Sequence, residues 1–274
     1  MIVLVTGASS GIGYQSAILL AKKGHKVYGA ARRVERMEPL RQFGITPVSL
    51  DVTSEASMQA CVADILAAEG RIDVLVNNAG YGYFGAIENV TMEEARRQLE
   101  VNVFGLARLT QLALPSMREH GFGRIVNIGS VAGRVVLPFG GWYHVSKYSV
   151  EALSDALRIE LKPFGIDVVL IEPGGINTEW GHIAADHLEE SCKGTPYEAP
   201  ARKEARLMHL TYNEKYLSSP DVVSRAIGKA VSARHPRHRY HPGSGSLFLL
   251  WLHALLPTRW WDALMRFAVK TRAK

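Results

Sequence analysis

The chain has 274 residues, of which 47% are hydrophobic, so it is long enough to bury a substantial core. The net charge is +6, but lysine and arginine are spread along the whole chain, which argues against a nucleic-acid-binding protein and suits an anionic ligand better. Cys61 and Cys192 have neither zinc nor disulfide spacing, which indicates a reducing compartment. No signal-peptide pattern follows Met1, and the apolar segment 247–256 is short of the roughly 20 residues that a spanning helix needs. We therefore expect a cytoplasmic globular protein.

Short β-branched runs alternate with longer helical patterns along the chain. Strands are predicted at 2–5, 26–30, 46–50, 73–76, 124–128 and 167–171, and helices at about 12–23, 54–69, 91–119, 142–163 and 220–232. This alternation predicts an α/β fold, a Rossmann-like doubly wound parallel sheet covered by helices on both faces. No linker composition divides it, so we expect a single domain.

Two segments depart from the alternation. Residues 179–218 mix aromatic and charged residues, which predicts a helical lid insertion that shapes a binding site. Residues 246–274 form an apolar C-terminal tail with Trp251, Trp260, Trp261 and Phe267, and this tail must be buried somewhere.

The segment TGASSGIG, residues 6–13, joins the first strand to the first helix. Its glycines, Gly7, Gly11 and Gly13, let a pyrophosphate approach the backbone where the helix offers free N–H groups and the positive end of its dipole. The spacing differs from GxGxxG, and a purely structural turn is the alternative. The segment by itself therefore indicates a phosphate site, and this interpretation depends on support from other motifs.

Further motifs occur in a fixed order: Asn77-Asn78-Ala79-Gly80 after the fourth strand, Ser130 after the fifth, and Tyr143-x-x-x-Lys147 opening a helix. Together with the glycine turn they resemble the short-chain dehydrogenase/reductase family over about residues 1–240. VYGAARR, LKPFGIDVVLIEPG and the apolar tail resemble the branch that contains 17β-hydroxysteroid and retinol dehydrogenase-like enzymes. The resemblance implies an oxidoreductase that interconverts a ketone or aldehyde and an alcohol by hydride transfer. Residues 1–245 would form the dinucleotide-binding and catalytic domain, and 246–274 its C-terminal extension.

The predicted catalytic residues are Asn102, Ser130, Tyr143 and Lys147. Tyr143 and Lys147 share a helix face, and a neighbouring ammonium lowers the pKa of a phenol, so Tyr143 becomes a usable acid and base. Ser130 would polarise the substrate oxygen. The resemblance implies that Asn102 kinks its helix and holds a water that links Lys147 to solvent; an outward-facing Asn102 is the alternative.

The predicted cofactor contacts lie at the carboxyl edge of the sheet. The glycine turn contributes Gly7, Ser9, Ser10, Gly11, Ile12 and Gly13. The resemblance implies Asp51 and Val52 beside the adenine, Asn78, Ala79 and Gly80 beside the adenosine ribose, Tyr143 and Lys147 beside the nicotinamide ribose, and Pro173, Gly174, Ile176 and Thr178 beside the nicotinamide. No metal is expected, because His235, His238 and His241 have no accompanying cysteine or carboxylate, and a solvated strand edge explains them.

The choice of nicotinamide cofactor depends on the end of the second strand. NAD sites usually place a carboxylate there, but this chain has Ala31 followed by Arg32 and Arg33, which predicts NADP(H) with Arg32 as the first contact for the 2′-phosphate and Arg33 as the second. The alternative is that both arginines begin a solvated helix. Many NADP-preferring members of the family that this chain resembles carry a basic residue in the glycine turn, whereas this chain has Ser9 and Ser10. The prediction therefore keeps NAD(H) as the second candidate cofactor.

Apolar residues surround the predicted substrate site and favour a lipophilic ketone or secondary alcohol. The candidates are Tyr81, Tyr83, Phe84, Val135, Val136, Leu137, Phe139, Trp142, Trp180 and Met208. The tail has two explanations: packing against the lid or a second subunit, or an interfacial helix with Arg259, Arg266, Lys270 and Lys274 on a membrane surface. We expect a homo-oligomer, a dimer or tetramer, and no nucleic-acid partner. A catalytically silent NADP(H)-binding regulator and an epimerase that recycles its cofactor are the alternative functions.

Overall fold

The computed structural model describes the backbone of residues 1–271 and the side chains of residues 1–267. Seven parallel strands form one sheet in the order β3-β2-β1-β4-β5-β6-β7. They are β1 Ile2–Thr6, β2 Lys26–Ala31, β3 Thr46–Ser49, β4 Val74–Asn77, β5 Gly123–Ile128, β6 Ile166–Ile171 and β7 Arg239–Tyr240. The predicted parallel α/β sheet is therefore confirmed, and each predicted strand lies within a residue or so of its observed position.

Helices cover both faces of the sheet. They are α1 Gly11–Lys22, α2 Glu55–Glu69, α3 Met92–Leu99, α4 Leu106–Glu119, α5 Gly141–Leu161, α6 Glu179–Cys192, α7 Glu198–Thr211, α8 Asp221–Ser232, α9 Ser246–Leu255 and α10 Thr258–Thr271. Short 3₁₀ segments occupy Val34–Phe43, Val131–Gly133 and Lys162–Phe164. The chain order along the sheet reverses between β1 and β4, which creates a crevice at their carboxyl ends.

The two faces of the sheet bury separate apolar layers. Val3 and Val5 of β1 pack with residues of α1 and α8, whereas Leu4 packs on the other face with residues of α2 and α4. Successive side chains of a strand point to opposite faces, so a strand that is covered on both sides must be apolar at every position. The continuous apolar runs in the sequence follow from this double burial.

The helix predicted over 91–119 is not continuous. The chain forms α3, a π-helical segment Glu100–Gly105 and then α4. A side chain at Gly105 would press on the backbone and Cβ of Val52, so this turn of helix lies directly against the loop after β3. The widened turn holds Asn102, which is buried and not directed to solvent as the alternative had it.

The insertion at 179–218 contains two antiparallel helices, α6 and α7, that pack on each other through small side chains. Ala184, Ala185, Ala201 and Ala205 are fully buried between them, together with Leu188. Small residues at facing positions allow the helix backbones to approach closely. The helical character agrees with the prediction, and its action as a lid stays a prediction.

The described part of the C-terminal tail packs on the turn after β5. Leu250 of α9 and Trp261 of α10 are buried against Val135, next to the 3₁₀ turn after β5. The described residues cover only the inner face of these helices, and what covers the outer face stays a prediction. The predicted basic positions Lys270 and Lys274 lie outside the described side chains. Among the residues that the structure describes, no helix has the length and apolarity to cross a membrane.

One buried arginine fastens the end of α8 to the sheet. The Arg124 side chain on β5 is 2% exposed, and its Nη1 donates to the carbonyl oxygens of Ala230, Val231 and Ala233 at 2.9, 2.7 and 2.8 Å. Its Nη2 lies 2.8 Å from the Asp167 carboxylate on β6. Helix C-termini leave carbonyls without intrahelical partners, and this side chain satisfies three of them.

We expect Arg124→Met to lower the free energy of unfolding by about 3 kcal/mol, because it leaves buried carbonyls without donors and a carboxylate without its counter-charge. Urea denaturation followed by circular dichroism measures the change. Arg41→Met is the control, because Arg41 forms an exposed ion pair with Glu38 and its loss should leave the unfolding midpoint unchanged. Equal midpoints for both variants would contradict the structural role of Arg124.

Candidate functional site

The glycine turn after β1 forms a cradle that side chains would fill. Gly7 and Gly11 have positive φ angles of 66° and 55°, which favour glycine. A Cβ at Gly7 would lie 2.8 Å from Nδ2 of Asn78, and one at Gly13 would overlap the carbonyl oxygen of Gly7. The turn therefore needs glycine both for its backbone shape and for the close approach of α1.

The turn after β4 is bound to the glycine turn. The Thr6 hydroxyl accepts from the backbone N–H groups of Asn78 and Ala79 at 3.0 and 2.9 Å. The Asn78 amide donates in return to the carbonyl oxygens of Thr6 and Gly7, at 2.9 and 3.3 Å. These bonds hold the walls of the crevice between β1 and β4 at a fixed separation.

The N-terminus of α1 points into this crevice. Ser10 occupies the N-cap position in an extended conformation, and its side chain forms no cap hydrogen bond. The first N–H groups of α1 therefore lack a side-chain acceptor, and together with the helix dipole they favour an anion. The open glycine cradle and the uncapped helix fit the pyrophosphate of a dinucleotide.

Arg32 and Arg33 follow β2 at the same edge, and both are exposed. Neither side chain forms an ion pair with another described residue. Arg33 is the N-cap of the 3₁₀ segment Val34–Phe43, so the alternative that the two arginines begin a solvated helix stays open. Arg32 is close enough to influence Asp51: burial would raise the pKa of this carboxyl, but hydrogen bonds from Thr53 and the arginine charge hold it below its usual value.

Ser130, Tyr143 and Lys147 come together between β5 and α5. The Ser130 hydroxyl donates to the carbonyl oxygen of Pro173 at 3.5 Å and accepts from the N–H of Ala132 at 3.1 Å, and it lies close enough to the Tyr143 phenol to oppose the rise of its pKa on burial. The Lys147 ammonium lies 5.8 Å from the centroid of the Tyr143 ring and donates to the carbonyl oxygen of Ile128 at 2.8 Å. Three groups that can exchange or polarise a proton thus converge where a substrate oxygen would lie.

Burial shifts the pKa values of Tyr143 and Lys147. It raises the pKa of the Tyr143 phenol, against the lowering effect of the Ser130 hydrogen bond. Burial also lowers the pKa of Lys147 to about 8, while the charge of Glu151 opposes that change. The expectation that Lys147 lowers the pKa of Tyr143 is therefore not met by the polypeptide alone, because desolvation outweighs other effects. Tyr143 is protonated at neutral pH in this environment.

Asn102 connects the loop after β4 to the catalytic helix. Its Nδ2 donates to the carbonyl oxygen of Tyr81 and to the hydroxyl of Ser146, at 2.9 and 3.0 Å, and its Oδ1 accepts from the Tyr81 N–H at 3.0 Å. Ser146 in turn donates to the carbonyl oxygen of Tyr143 at 2.7 Å. Sequence reasoning selected Asn102 but missed Ser146, whose only signal is its place between Tyr143 and Lys147.

Behind Lys147 lies a buried cluster of charged groups that sequence reasoning missed. Arg239 of β7 contacts the carboxylates of Glu151 on α5 and Glu172 at the end of β6, the latter at 3.3 Å. His241 also approaches Glu172, with 3.3 Å between Nδ1 and Oε2. His235 and His238 are exposed next to the edge strand β7, but the fold brings to His241 a carboxylate, Glu172, that the prediction lacked.

Burial raises the pKa of both Glu151 and Glu172, although Arg239 opposes the change. The sequence contained two partial signals for this cluster. Glu151 stands four residues after Lys147, on the same face of a helix, and Glu172 directly follows the apolar run 168–171. Nothing in the sequence pattern pairs Arg239 with either carboxylate, since the two segments meet only when β7 joins the sheet.

The loop after β6 reaches back towards the glycine turn. A Cβ at Gly11 would lie 3.8 Å from the methyl group of Thr178, so the two turns face each other across the crevice. The backbone of the loop is fixed on its far side, because the N–H groups of Gly174 and Asn177 donate to the carbonyl oxygens of Pro242 and Ser218, both at 2.9 Å. The predicted contacts Pro173, Gly174, Ile176 and Thr178 thus lie at the predicted edge.

Aromatic residues cover Tyr143. Trp180 of α6 and Phe84 lie 5.0 and 5.8 Å from the Tyr143 ring, measured between centroids. Tyr212 of the same insertion packs 6.3 Å from Trp180 and was not predicted as a wall of the site. Phe84 and Trp180 are joined there by two other predicted wall residues, Phe139 and Met208.

Other predicted wall residues have different contacts. Tyr83 stacks on His187 at 4.6 Å, and Val135 packs under the C-terminal helices. Val136 and Leu137 are exposed. The apolar environment of Tyr143 therefore comes mainly from Phe84, Phe139 and the insertion.

Known proteins share these features. A sequence model of the family described as short chain dehydrogenase matches residues 1–188. The chain is 42% identical over 244 residues to a 3-ketodihydrosphingosine reductase from Bacteroides thetaiotaomicron, covering 88% of this chain and 87% of that protein. It is 36% identical over 262 residues to estradiol 17-beta-dehydrogenase 1 from Rattus norvegicus, covering 87% and 72%.

Solved structures agree with the sequence relatives. A short-chain dehydrogenase from Streptomyces avermitilis superposes with a TM-score of 0.80 at 33% identity, over 100% of this chain and 97% of that one. A serine dehydrogenase in its closed form with NADP+ superposes with a TM-score of 0.75 at 28% identity, over 89% and 94%. The chain belongs to the short-chain dehydrogenase/reductase family, whose members are oxidoreductases that bind a nicotinamide cofactor and act on CH–OH and C=O groups.

Proposed function

We propose that the protein is an NADP(H)-dependent oxidoreductase that interconverts a lipophilic ketone or aldehyde and the corresponding alcohol. The observation that carries this proposal is the convergence of Ser130, Tyr143 and Lys147 beside the aromatic cover of Trp180 and Phe84. The 3-ketodihydrosphingosine reductase and estradiol 17-beta-dehydrogenase named above act, by their names, on lipophilic molecules, which supports an apolar substrate. The complete set of polar catalytic groups favours this function over a silent binding protein.

In the proposed reaction, Tyr143 holds the proton that the substrate oxygen receives during reduction. Its raised pKa keeps that proton in place until charge develops on the oxygen, and Ser130 stabilises that charge by a second hydrogen bond. Lys147 places a positive charge beside the phenol, and Asn102 holds the catalytic helix through Ser146. The nicotinamide supplies or accepts the hydride when it is bound.

The proposed cofactor contacts are those predicted above. Gly7, Gly11 and Gly13 form the open cradle, and Asn78 holds its shape. Tyr143 and Lys147 would reach the nicotinamide ribose, and Thr178, whose hydroxyl does not cap α6, would reach the carboxamide. The exposed guanidinium of Arg32 is the proposed ligand of a 2′-phosphate, and the serine dehydrogenase that was solved with NADP+ supports this choice.

Tyr143→Phe tests the reaction. We expect kcat for carbonyl reduction to fall by about 10²–10⁴-fold, because the proton donor is lost, while the affinity for NADPH stays within about twofold. NADPH oxidation is measured against ketones and aldehydes that range from small and polar to steroid-sized, and NADPH binding is measured by fluorescence titration. NADPH binding by the wild type without turnover of any substrate would instead support a regulatory protein.

Arg32→Ala tests the cofactor. We expect kcat/KM with NADPH to fall roughly 10- to 100-fold and kcat/KM with NADH to change little, because only NADPH carries the 2′-phosphate that the guanidinium binds. Arg36→Ala is the matched control, since Arg36 is an exposed arginine further along the same segment. If Arg32→Ala affects both cofactors equally, Arg32 does not select between them.

Glu151→Gln tests the charge behind Lys147. The negative charge of Glu151 stabilises the ammonium, so its removal lowers the pKa of Lys147 below about 8. If the reaction needs the ammonium, activity is lost as pH rises through this pKa, and the alkaline limb of the pH–kcat profile moves to lower pH. Asp155→Asn is the control, because Asp155 also pairs with Arg239, at 2.8 Å, but does not contribute to the pKa of Lys147. Identical profiles for the two variants would contradict the assignment.

A further inference from the structure

The outward face of the two C-terminal helices carries large apolar side chains that no described residue covers. Leu247, Phe248, Trp251 and Leu255 on α9 are 63%, 65%, 61% and 59% exposed, and Trp260 on α10 is 69% exposed. Monomeric soluble proteins rarely expose a contiguous apolar patch of this kind. We call these five side chains the tail face.

The tail face is part of an ordered element. On the opposite side of the same helices, Leu250 and Trp261 are buried against Val135, and the His253 ring meets the Trp261 ring edge-on at 4.8 Å. The inner contacts fix which side of α9 and α10 points outward. The apolar exposure therefore has a defined direction and does not come from a loose chain end.

Either a second copy of the chain or a lipid surface could cover the tail face, and the charge of the tail distinguishes between them. In the sequence from Ser246 to the C-terminus, five residues are basic and Asp262 is the one acidic residue. The basic residues are Arg259, Arg266, Lys270, Arg272 and Lys274, and the first two are exposed on α10, the helix that carries Trp260. Two copies paired through the tail face would bring like charges together, whereas an anionic lipid surface would attract them.

The lengths of the helices decide how they would meet a bilayer. α9 has 10 residues and α10 has 14, and about 20 are needed to cross the hydrocarbon core. Short helices with tryptophan, phenylalanine and leucine on one face and basic residues beside it lie in the interface plane. The dimensions thus suit a surface contact rather than insertion.

We propose that the tail face docks the protein on a membrane surface that contains anionic lipid. The docked face also adjoins the candidate site: Phe248 and Leu249 of α9 line a shallow recess together with Val131, which follows Ser130, and Gly174 of the loop after β6. An apolar molecule dissolved in the bilayer would meet the protein beside this recess. The docking itself does not depend on the proposed reaction.

Vesicle co-sedimentation of the full chain tests the proposal. We expect the wild type to bind phosphatidylcholine vesicles that contain 30% phosphatidylglycerol, roughly tenfold more strongly than pure phosphatidylcholine vesicles, with binding weakened by salt. The double variant Trp251→Ser/Trp260→Ser should lose at least about tenfold in binding to the anionic vesicles. Ile159→Ser is the matched control, because Ile159 on α5 is 67% exposed but lies outside the tail face.

A charge variant and the oligomeric state complete the test. The variant Arg259→Gln/Arg266→Gln keeps the apolar face. It should bind anionic vesicles more weakly than the wild type and neutral vesicles equally well. This variant still tests the proposal if the tryptophan variant fails to fold. Absence of wild-type binding to anionic vesicles overturns the proposal, as does equal binding by the wild type and the charge variant. If light scattering finds a dimer that the tryptophan variant dissociates, and vesicles are not bound, a second copy occupies the tail face.

Discussion

The close contact between the turns after β1 and β4 is the constraint on which the rest of the site depends. At Gly7 and Gly13 the backbone comes so near to its neighbours that a methyl group would not fit, and Asn78 occupies the remaining space with hydrogen bonds to Thr6 and Gly7. The crevice exists because the strand order reverses there. The strands that end at this edge place the glycine turn, Arg32, Ser130 and the loop after β6 around the crevice.

The catalytic group illustrates how separate elements converge on one point. Ser130 is placed by the end of β5, while Tyr143 and Lys147 are placed by one face of α5. Asn102 reaches the same helix only because the π-helical turn directs it inward to Ser146 and Tyr81. Behind them, Arg239 fastens α5 to the end of β6 through Glu151 and Glu172. Rigid neighbours of this kind hold the reacting groups of the proposed mechanism in place.

Burial differs between the candidate site and the C-terminal helices. In the crevice it changes the protonation of Tyr143 and Lys147, because a charged group loses its hydration there. In the C-terminal helices only one face is buried, and the other remains apolar and exposed. The first effect supports the proposed chemistry, and the second supports the proposed docking at a membrane surface.

The sequence by itself determined the parallel sheet and the order of the chemical motifs. Both follow from local requirements, because a strand that is covered on both faces must be apolar and a turn that another backbone segment approaches closely needs glycine. It predicted Ser130 at the carboxyl edge, because parallel strands end together, and Tyr143 and Lys147 on one helix face, because they are four residues apart. Only the tertiary structure decided that Arg239 and His241 meet Glu172, that Asn102 points inward, and that the tail leaves one face uncovered. Those outcomes depend on contacts between segments far apart in the chain, which no local pattern of residues encodes.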